Sequence, residues 1–373
     1  MQGVRHYHEV LRTYCSVSKE VAQFSGHWRP FVIFNMLASR FAYCKGPAYY
    51  WLFNFELKKH TEWDQYLTKV QMERMQLSTN PASALRLVDD KLRFYERCLN
   101  HGIATPRVLC AIEVTKDLYA PANVPVLRNP EELLKKLLEQ GDGKLVLKSV
   151  TGSYGEHFLT LAINRGKIFD HRGNALTATS IMQHCRKAGA NFLIQEHMRL
   201  HDAFKTILPG DALGTIRVVT LLRPGEDSIM PYSYAKIPVP GNLTDNFHHG
   251  ESGNLIVGID VADGTMMSAW GTTNTQGRGM AEIEVHPNTR RRFRGTPVPF
   301  WDRIVGVARQ AAKAFDELVT VGWDIAVTDK GVTVIEGNCR YDIDVHQITL
   351  NRGLRSEIEA FYESARASSQ VRP

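Results

Sequence analysis

The chain has six cysteines, Cys15, Cys44, Cys98, Cys110, Cys185 and Cys339, and no two of them form a CxxC pair. Zinc and dithiol redox motifs are therefore unsupported, and free thiols in a reducing compartment are expected. Cys339, beside Asn338, reads as a small filler of packed space. A signal-peptide-like apolar region is also missing. The most apolar early stretch, residues 28–53, is broken by Arg29, Arg40 and Lys45, so it cannot cross a bilayer as an unbroken apolar helix. A buried helical face is expected there instead of a membrane-surface helix, and the chain reads as cytoplasmic, without stable membrane insertion. Massed basic tracts are absent: the net charge of +6 is spread over 373 residues, which argues against a dedicated nucleic-acid binder and still suits phosphate ligands. There is no internal repeat, no low-complexity tract, and no convincing Ser-His-Asp or Cys-His arrangement.

What is present is ordinary for a globular chain, 43% hydrophobic and 23% charged, and long enough for two or three subdomains. Residues 1 to about 80 read as helical, with a dense aromatic cluster at Tyr49, Tyr50, Trp51, Phe53 and Phe55 that implies core or interdomain packing. Ser78-Thr79-Asn80-Pro81 is a break. A helix over 82–100 follows, stopped by Gly102 and Pro106. A strand over 107–113 comes next, then a helix opened by Asn129-Pro130-Glu131 and ended at Gly141. Residues 145–150 form a strand. Beyond it the chain is mostly strands, at 192–198, 215–222, 228–239, 254–261 and 265–271, with one amphipathic helix over 302–318.

Near the C-terminus, Gly322 to Asn338 reads GWDIAVTDKGVTVIEGN. Asp329-Lys330-Gly331 fits a three-residue hairpin loop, which pairs Thr328 with Val332 and sets Asp324 opposite Glu336. Cross-strand partners share a face, and Asn338, two residues on, returns to it. Two carboxylates and an amide suit Mg²⁺ that also holds substrate phosphates; an exposed polar face on a hairpin is the plain alternative.

Lys148 ends a strand and runs into Thr151-Gly152-Ser153-Tyr154-Gly155-Glu156. Small residues let amide N–H groups close over phosphates, and a lysine adds a point charge. No GK[ST] follows, so this is neither a P-loop nor a dinucleotide fingerprint, and an ordinary turn remains open. Lys91 sits within a helix, where a solvated charge is the simple reading. Phe192 to Met198 is an apolar strand turning polar at its end; it could pass an adenine between apolar walls, or be plain core. Arg217, amid β-branched residues, is costly to bury without an anion, either a phosphate or carboxylate ligand or a structural salt bridge. Lys236 is a weaker case of the same kind. In the polar loop 245–250, His248 and His249 are adjacent and make a poor metal pair on an extended chain.

In their order these segments resemble the ATP-grasp superfamily, closest to its sugar-transfer-associated group, which is related to α-L-glutamate ligases. The resemblance rests on DDKLRFYERCLNHGIATP with Lys91, LVLKSVTGSYGE with Lys148, LIQEHM, GTIRVVT with Arg217, and the Gly322–Asn338 segment with Asp324, Glu336 and Asn338. TDNFHHGESGNLIVGIDVADG and the aromatic N-terminus resemble that group too. It implies an α+β fold in which two lobes grip MgATP. Lys91, Lys148, Gly152, Ser153, Tyr154 and Gly155 would contact phosphates, and Gln195, Glu196, His197 and Met198 would form the adenine hinge. Arg217, with Lys236 and Lys148, would serve the reacting phosphate, and Asp324, Glu336 and Asn338 would hold Mg²⁺. The loop departs from many relatives in having fewer glycines and a bulky Tyr154.

The expected organisation is a helical region at 1–80, a small α/β lobe with the glycine loop at 81–190, and a C-terminal lobe with the metal hairpin at 191–373. The resemblance implies an ATP-dependent carboxylate–amine ligase working through an acyl phosphate on small-molecule carboxylate and amine substrates. Direct phosphoryl transfer to a small molecule, or a non-catalytic nucleotide-binding role in a sugar-polymer pathway, are the alternatives. Arg217, Arg340 and the His248-His249 loop are candidates for recognising an acidic substrate, although Arg340 could equally bond Asp342.

Overall fold

The computed structural model describes residues 2–152, 157–205, 207–208, 212–222, 229–272 and 279–369. The N-terminal region is helical: α1 (Gln2–Ser25), α2 (Arg29–Tyr43), α3 (Pro47–Leu52), α4 (His60–Trp63) and α5 (Lys69–Thr79). Its aromatic cluster is core. Tyr50, Phe55, Trp63 and Tyr66 are buried together, with the Phe55 and Trp63 rings stacked at 5.2 Å. They pack with Val345, Ile348, Tyr234, Ile256 and Trp270 from the C-terminal half. The expected buried face over 28–53 holds only in part. α2 buries Val32 and Met36 but turns Phe31, Phe34, Leu37 and Phe41 to solvent.

The helix expected over 82–100 is two helices, α6 (Arg86–Asp89) and α7 (Lys91–Asn100). Asp90 leaves helical geometry, and its carboxylate accepts the N–H groups of Leu92 and Arg93, which caps the second helix. Lys91 therefore stands at the first position of α7 instead of mid-helix. Its own N–H donates to the Val150 carbonyl at 3.0 Å.

Next come β1 (Val108–Ile112), β2 (Val126–Leu127), α8 (Pro130–Leu138), β3 (Gly143–Ser149), β4 (Leu159–Asn164), β5 (Lys167–Phe169), β6 (Ala175–Leu176), α9 (Ala178–Ala188) and β7 (Phe192–Glu196). α8 starts as the sequence predicts, with the Asn129 side chain accepting the Glu132 N–H and Pro130 in the first turn. The strands form one sheet in the order β2-β1-β7-β3-β4-β5-β6. β7 pairs with both β1 and β3, so the strand at 192 belongs to this first sheet and not to the C-terminal lobe in which the 191–373 division puts it. The helix α9 lies where the sequence pattern predicts mostly strands.

The second sheet comprises β8 (Ile216–Leu221), β9 (Ile229–Ile237), β10 (Leu255–Ile259), β11 (Met266–Thr272), β12 (Met280–Ile283), β13 (Thr320–Thr328) and β14 (Gly331–Asn338). Its order is β12-β11-β10-β9-β8-β13-β14, antiparallel throughout. The helix α10 (Trp301–Ala314) precedes β13, and α11 (Ile343–Thr349) and α12 (Arg355–Ser369) follow β14. α10 packs on β8, β13 and β14 through Ile304, Ala308 and Ala311, in a core that also holds Phe315 and Trp323. This mixed architecture of two sheets with a helical N-terminal region is the expected α+β class.

Candidate active site

Alternation in the strands sets the upper wall. Lys144, Val146 and Lys148 of β3, and Thr160, Ala162 and Asn164 of β4, are spaced by two and line one cavity of about 770 Å³. Gln195, Glu196, His197 and Met198 line it from the end of β7. Lys91, Gly152, Lys236, Asp324 and Glu336 line it as well. The structure thus gathers residues spread from 91 to 336 around one space. Ser153, Tyr154 and Gly155 lie outside the described residues.

The opposite wall is the β13–β14 hairpin, whose register differs in detail from the expectation. Thr328 pairs with Gly331, so the loop is the two residues Asp329 and Lys330, and Val327 pairs with Val332. A bulge at Ile335 then absorbs one residue, and Asp324 still faces Glu336. Two offsets cancel, one at the turn and one at the bulge. Asn338 donates from Nδ2 to Glu336 Oε1 at 3.2 Å.

Arg217 and Asp324 are cross-strand partners of β8 and β13. Arg217 Nε and Nη2 donate to the two Asp324 oxygens at 2.6 and 2.9 Å, and Lys236 Nζ donates to Oδ2 at 2.8 Å. All three side chains are buried. Burial alone would raise the Asp324 pKa, but the two cations overcome it and hold the carboxyl well below the usual range. Burial likewise opposes the charge on Lys236, yet Asp245 and Asp324 hold it protonated above its ordinary value. The structural salt bridge considered for Arg217 is therefore real. Arg217 also lines a second cavity, so it is not sealed from ligands.

Asp245 is a member of this cluster that sequence reading missed. It accepts hydrogen bonds from the Thr215 amide, at 2.9 Å, and from the Thr215 hydroxyl, and lies 3.9 Å from Lys236 Nζ. Burial pushes its pKa up, with Lys236 opposing. The only signal was a polar loop; its partners are distant in sequence.

Lys91 and Lys148 face a different balance. Lys91 Nζ donates to the Gly152 carbonyl at 3.0 Å. Burial first, and the neighbouring Lys91 charge second, lower Lys148 to about 8, with Glu336 opposing. Lys91 is also lowered by burial, with Glu336 opposing. Two cations crowded around one carboxylate favour an incoming anion.

The second cavity, about 940 Å³, shares Lys91, Gly152, Lys236, Asn246 and Glu336 with the first. Its remaining wall includes Lys69, Glu73, Arg217, His248, His249, Asn338, Arg340 and Asp342. Arg340 bonds Asp89 at 2.9 Å, while Asp342 is paired with Lys69 at 3.0 Å, so the expected Arg340–Asp342 alternative is not formed. His248 and His249 both have left-handed backbones, φ 46° and 53°, in place of the extended chain assumed for them. The Glu196 carboxylate accepts the Arg107 N–H at 2.8 Å and pairs with Lys330.

The donor set fits a hard cation. Asp324 has four lone-pair sites and accepts three hydrogen bonds, and Glu336 and Asn338 add oxygen donors. Among the described residues no group of three His, Cys, Asp or Glu gathers as a metal cage.

Residues 71–363 match the sugar-transfer associated ATP-grasp family. Similar solved structures include D-alanine–D-alanine ligase from Bacillus anthracis, at 12% identity and a TM-score of 0.42, covering 78% of this chain and 72% of that one. VanG D-Ala:D-Ser ligase from Enterococcus faecalis is 12% identical with a TM-score of 0.45, covering 77% of this chain and 63% of that one. D-cycloserine synthetase DcsG is 12% identical with a TM-score of 0.41, covering 88% and 82%. No curated protein matches the chain.

Proposed function

The chain belongs to the sugar-transfer associated ATP-grasp family, and we propose that it is an ATP-dependent carboxylate–amine ligase that forms an amide or peptide-like bond. The observation that carries this reading is the junction of the two cavities at Lys91, Gly152, Lys236 and Glu336. One space has apolar strand walls and a hinge at one end with crowded lysines at the other. The second has mixed charges suited to a small polar acceptor.

In this reading the adenine lies against main chain at 195–198, and Lys91 and Lys148 neutralise the triphosphate. Asp324, Glu336 and Asn338 would hold Mg²⁺, which shields phosphate charge when bound. A substrate carboxylate oxygen attacks the γ-phosphorus, the bond to the β,γ-bridging oxygen breaks, and ADP leaves with that electron pair. The resulting acyl phosphate carries a good leaving group. The amine attacks its carbonyl carbon, phosphate departs, and the amine proton passes to solvent. Lys236 at the junction and Arg217 in the second cavity are two cations that Asp324 holds in fixed positions. Those cations, fixed by the sheet before substrate arrives, would stabilise charge on the transferring phosphoryl group.

The test is incubation with MgATP, hydroxylamine and a pooled panel of amino and sugar acids, with products read by mass. A hydroxamate with matching ADP supports carboxylate activation and names the acid. A phosphorylated acceptor without hydroxamate replaces it with phosphoryl transfer. Unchanged cellular function of Glu336→Ala would indicate a non-catalytic nucleotide-binding role.

A further inference from the structure

Eight of the sixteen large hydrophobic side chains that stand exposed among the described residues fall between Val10 and Phe41. On α2 they form a stripe. Phe31, Phe34, Leu37 and Phe41 are 48%, 65%, 39% and 82% exposed, and Trp28 just before the helix is 76% exposed. At 3.6 residues per turn the four helical positions occupy an arc of about 120°. Val32 and Met36, on the opposite side, are buried in the protein core. The helix is thus apolar on two faces, one already packed and one not. Arg29 bonds Ser18 Oγ at 3.2 Å and the Cys15 carbonyl at 3.1 Å, which ties α2 to α1 as a fixed platform.

The charge around this platform is net positive. Residues 1–45 hold six Lys and Arg against Glu9 and Glu20, so they carry +4 of the chain's +6, and no acidic residue occurs from 21 to 55. Arg12, Lys19 and Arg40 are exposed on the two helices. An apolar stripe of Trp, Phe and Leu in a net-basic pair of helices fits the boundary of an anionic bilayer: rings enter the acyl region, and exposed cations such as Arg40 meet lipid phosphates. A second copy docking through the same face about a two-fold axis would set these like charges against each other. No helix among the described residues is long and apolar enough to span a membrane, so the contact is peripheral.

We propose that the α1–α2 face docks the protein onto an anionic lipid surface. Neither active-site cavity takes a lining residue from 1–45, so docking leaves both cavities open.

The test is co-flotation of the full chain with vesicles of phosphatidylcholine alone or mixed with phosphatidylglycerol, beside ATP binding by calorimetry. Binding to the mixed vesicles, weakened by salt, is expected. The Phe34→Ser, Phe41→Ser double variant should lose at least about tenfold in vesicle partition with ATP affinity unchanged. The Arg12→Glu, Arg40→Glu variant, which leaves the apolar stripe intact, should show the same loss of anionic-vesicle binding. Failure of the parent chain to float with anionic vesicles would overturn the proposal, as would flotation of both variants equal to that of the parent chain. A dimer in solution that the phenylalanine variant dissociates, with no lipid binding, would assign the face to a second copy. Capture of an acidic protein without vesicle binding would equally replace lipid as the occupant.

Discussion

Arg217 and Asp324 stand directly opposite each other on β8 and β13, joined by two hydrogen bonds of 2.6 and 2.9 Å in a site almost closed to solvent. Lys236 shares the same carboxylate, so the anion holds two buried cations in place.

Asp324→Asn leaves both cations without their common anion. It is expected to cost about 3–5 kcal/mol of stability, the range for breaking a buried pair, measured by urea unfolding. The pH dependence has a fixed sign. Asp324 is held below its ordinary pKa, so its stabilising contribution is full above the unfolded value of about 4 and shrinks as pH falls below it. The Asn variant should lose that part of the acid sensitivity.

Glu336→Gln should separate turnover from folding. Glu336 is only partly buried, so stability should change by less than about 1 kcal/mol. Turnover should fall by more than about a hundredfold if the carboxylate helps hold Mg²⁺. Parallel melting and ADP-release assays read the two effects.

Lys148 predicts proton uptake on nucleotide binding. Its pKa of about 8 in the free protein reflects burial and the Lys91 charge; a triphosphate beside it favours the protonated form. ATP affinity should be full below pH 8 and fall by up to about tenfold per unit above it, until the bound-state pKa is reached. Calorimetry at pH 8.5 in buffers of different ionisation enthalpy should show uptake, and Lys148→Met should abolish it.

Gly337 separates Glu336 from Asn338, and a Cβ there would lie 2.9 Å from the Trp323 ring and 3.0 Å from Val88 Cγ1. Both neighbours are packed core. Gly337→Ala should cost about 1–3 kcal/mol by overpacking and weaken Mg²⁺-dependent ATP binding, read by thermal shift with and without Mg²⁺.

Lys69 tests whether the second cavity takes the acceptor. Its ion pair with Asp342 is partly exposed, so Lys69→Ala should change stability by less than about 1 kcal/mol. The KM for the acceptor should rise while the KM for ATP stays, by steady-state kinetics on the substrate that the panel identifies.

Much of the architecture was legible because local chemistry agreed with the tertiary outcome. The Asn129-Pro130 start of α8 is a case where one or two residues dictate backbone geometry. The facing of Asp324 and Glu336 was also read, but through an assumed loop one residue too long that the bulge at Ile335 compensates. α11 leaves no sequence signal because all seven of its residues are buried, which erases the amphipathic period that marks a surface helix. β5 and β6 are three and two residues long, and pairing with neighbours defines them. The exposure of the α2 stripe is not legible because composition records apolarity and not which of two apolar faces finds a partner. The Asp245–Thr215 contact joins residues thirty apart, where no spacing rule reaches.

The most direct test of carboxylate activation uses a pool of acids labelled with oxygen-18 in the carboxyl group, with MgATP and hydroxylamine, and the mass of the released phosphate. One labelled oxygen in each phosphate, matched by hydroxamate and ADP, is the predicted result, since the attacking carboxylate oxygen leaves with phosphorus. Turnover of ATP in the presence of a consumed acid, with all label retained in the organic product, would contradict the ligase account.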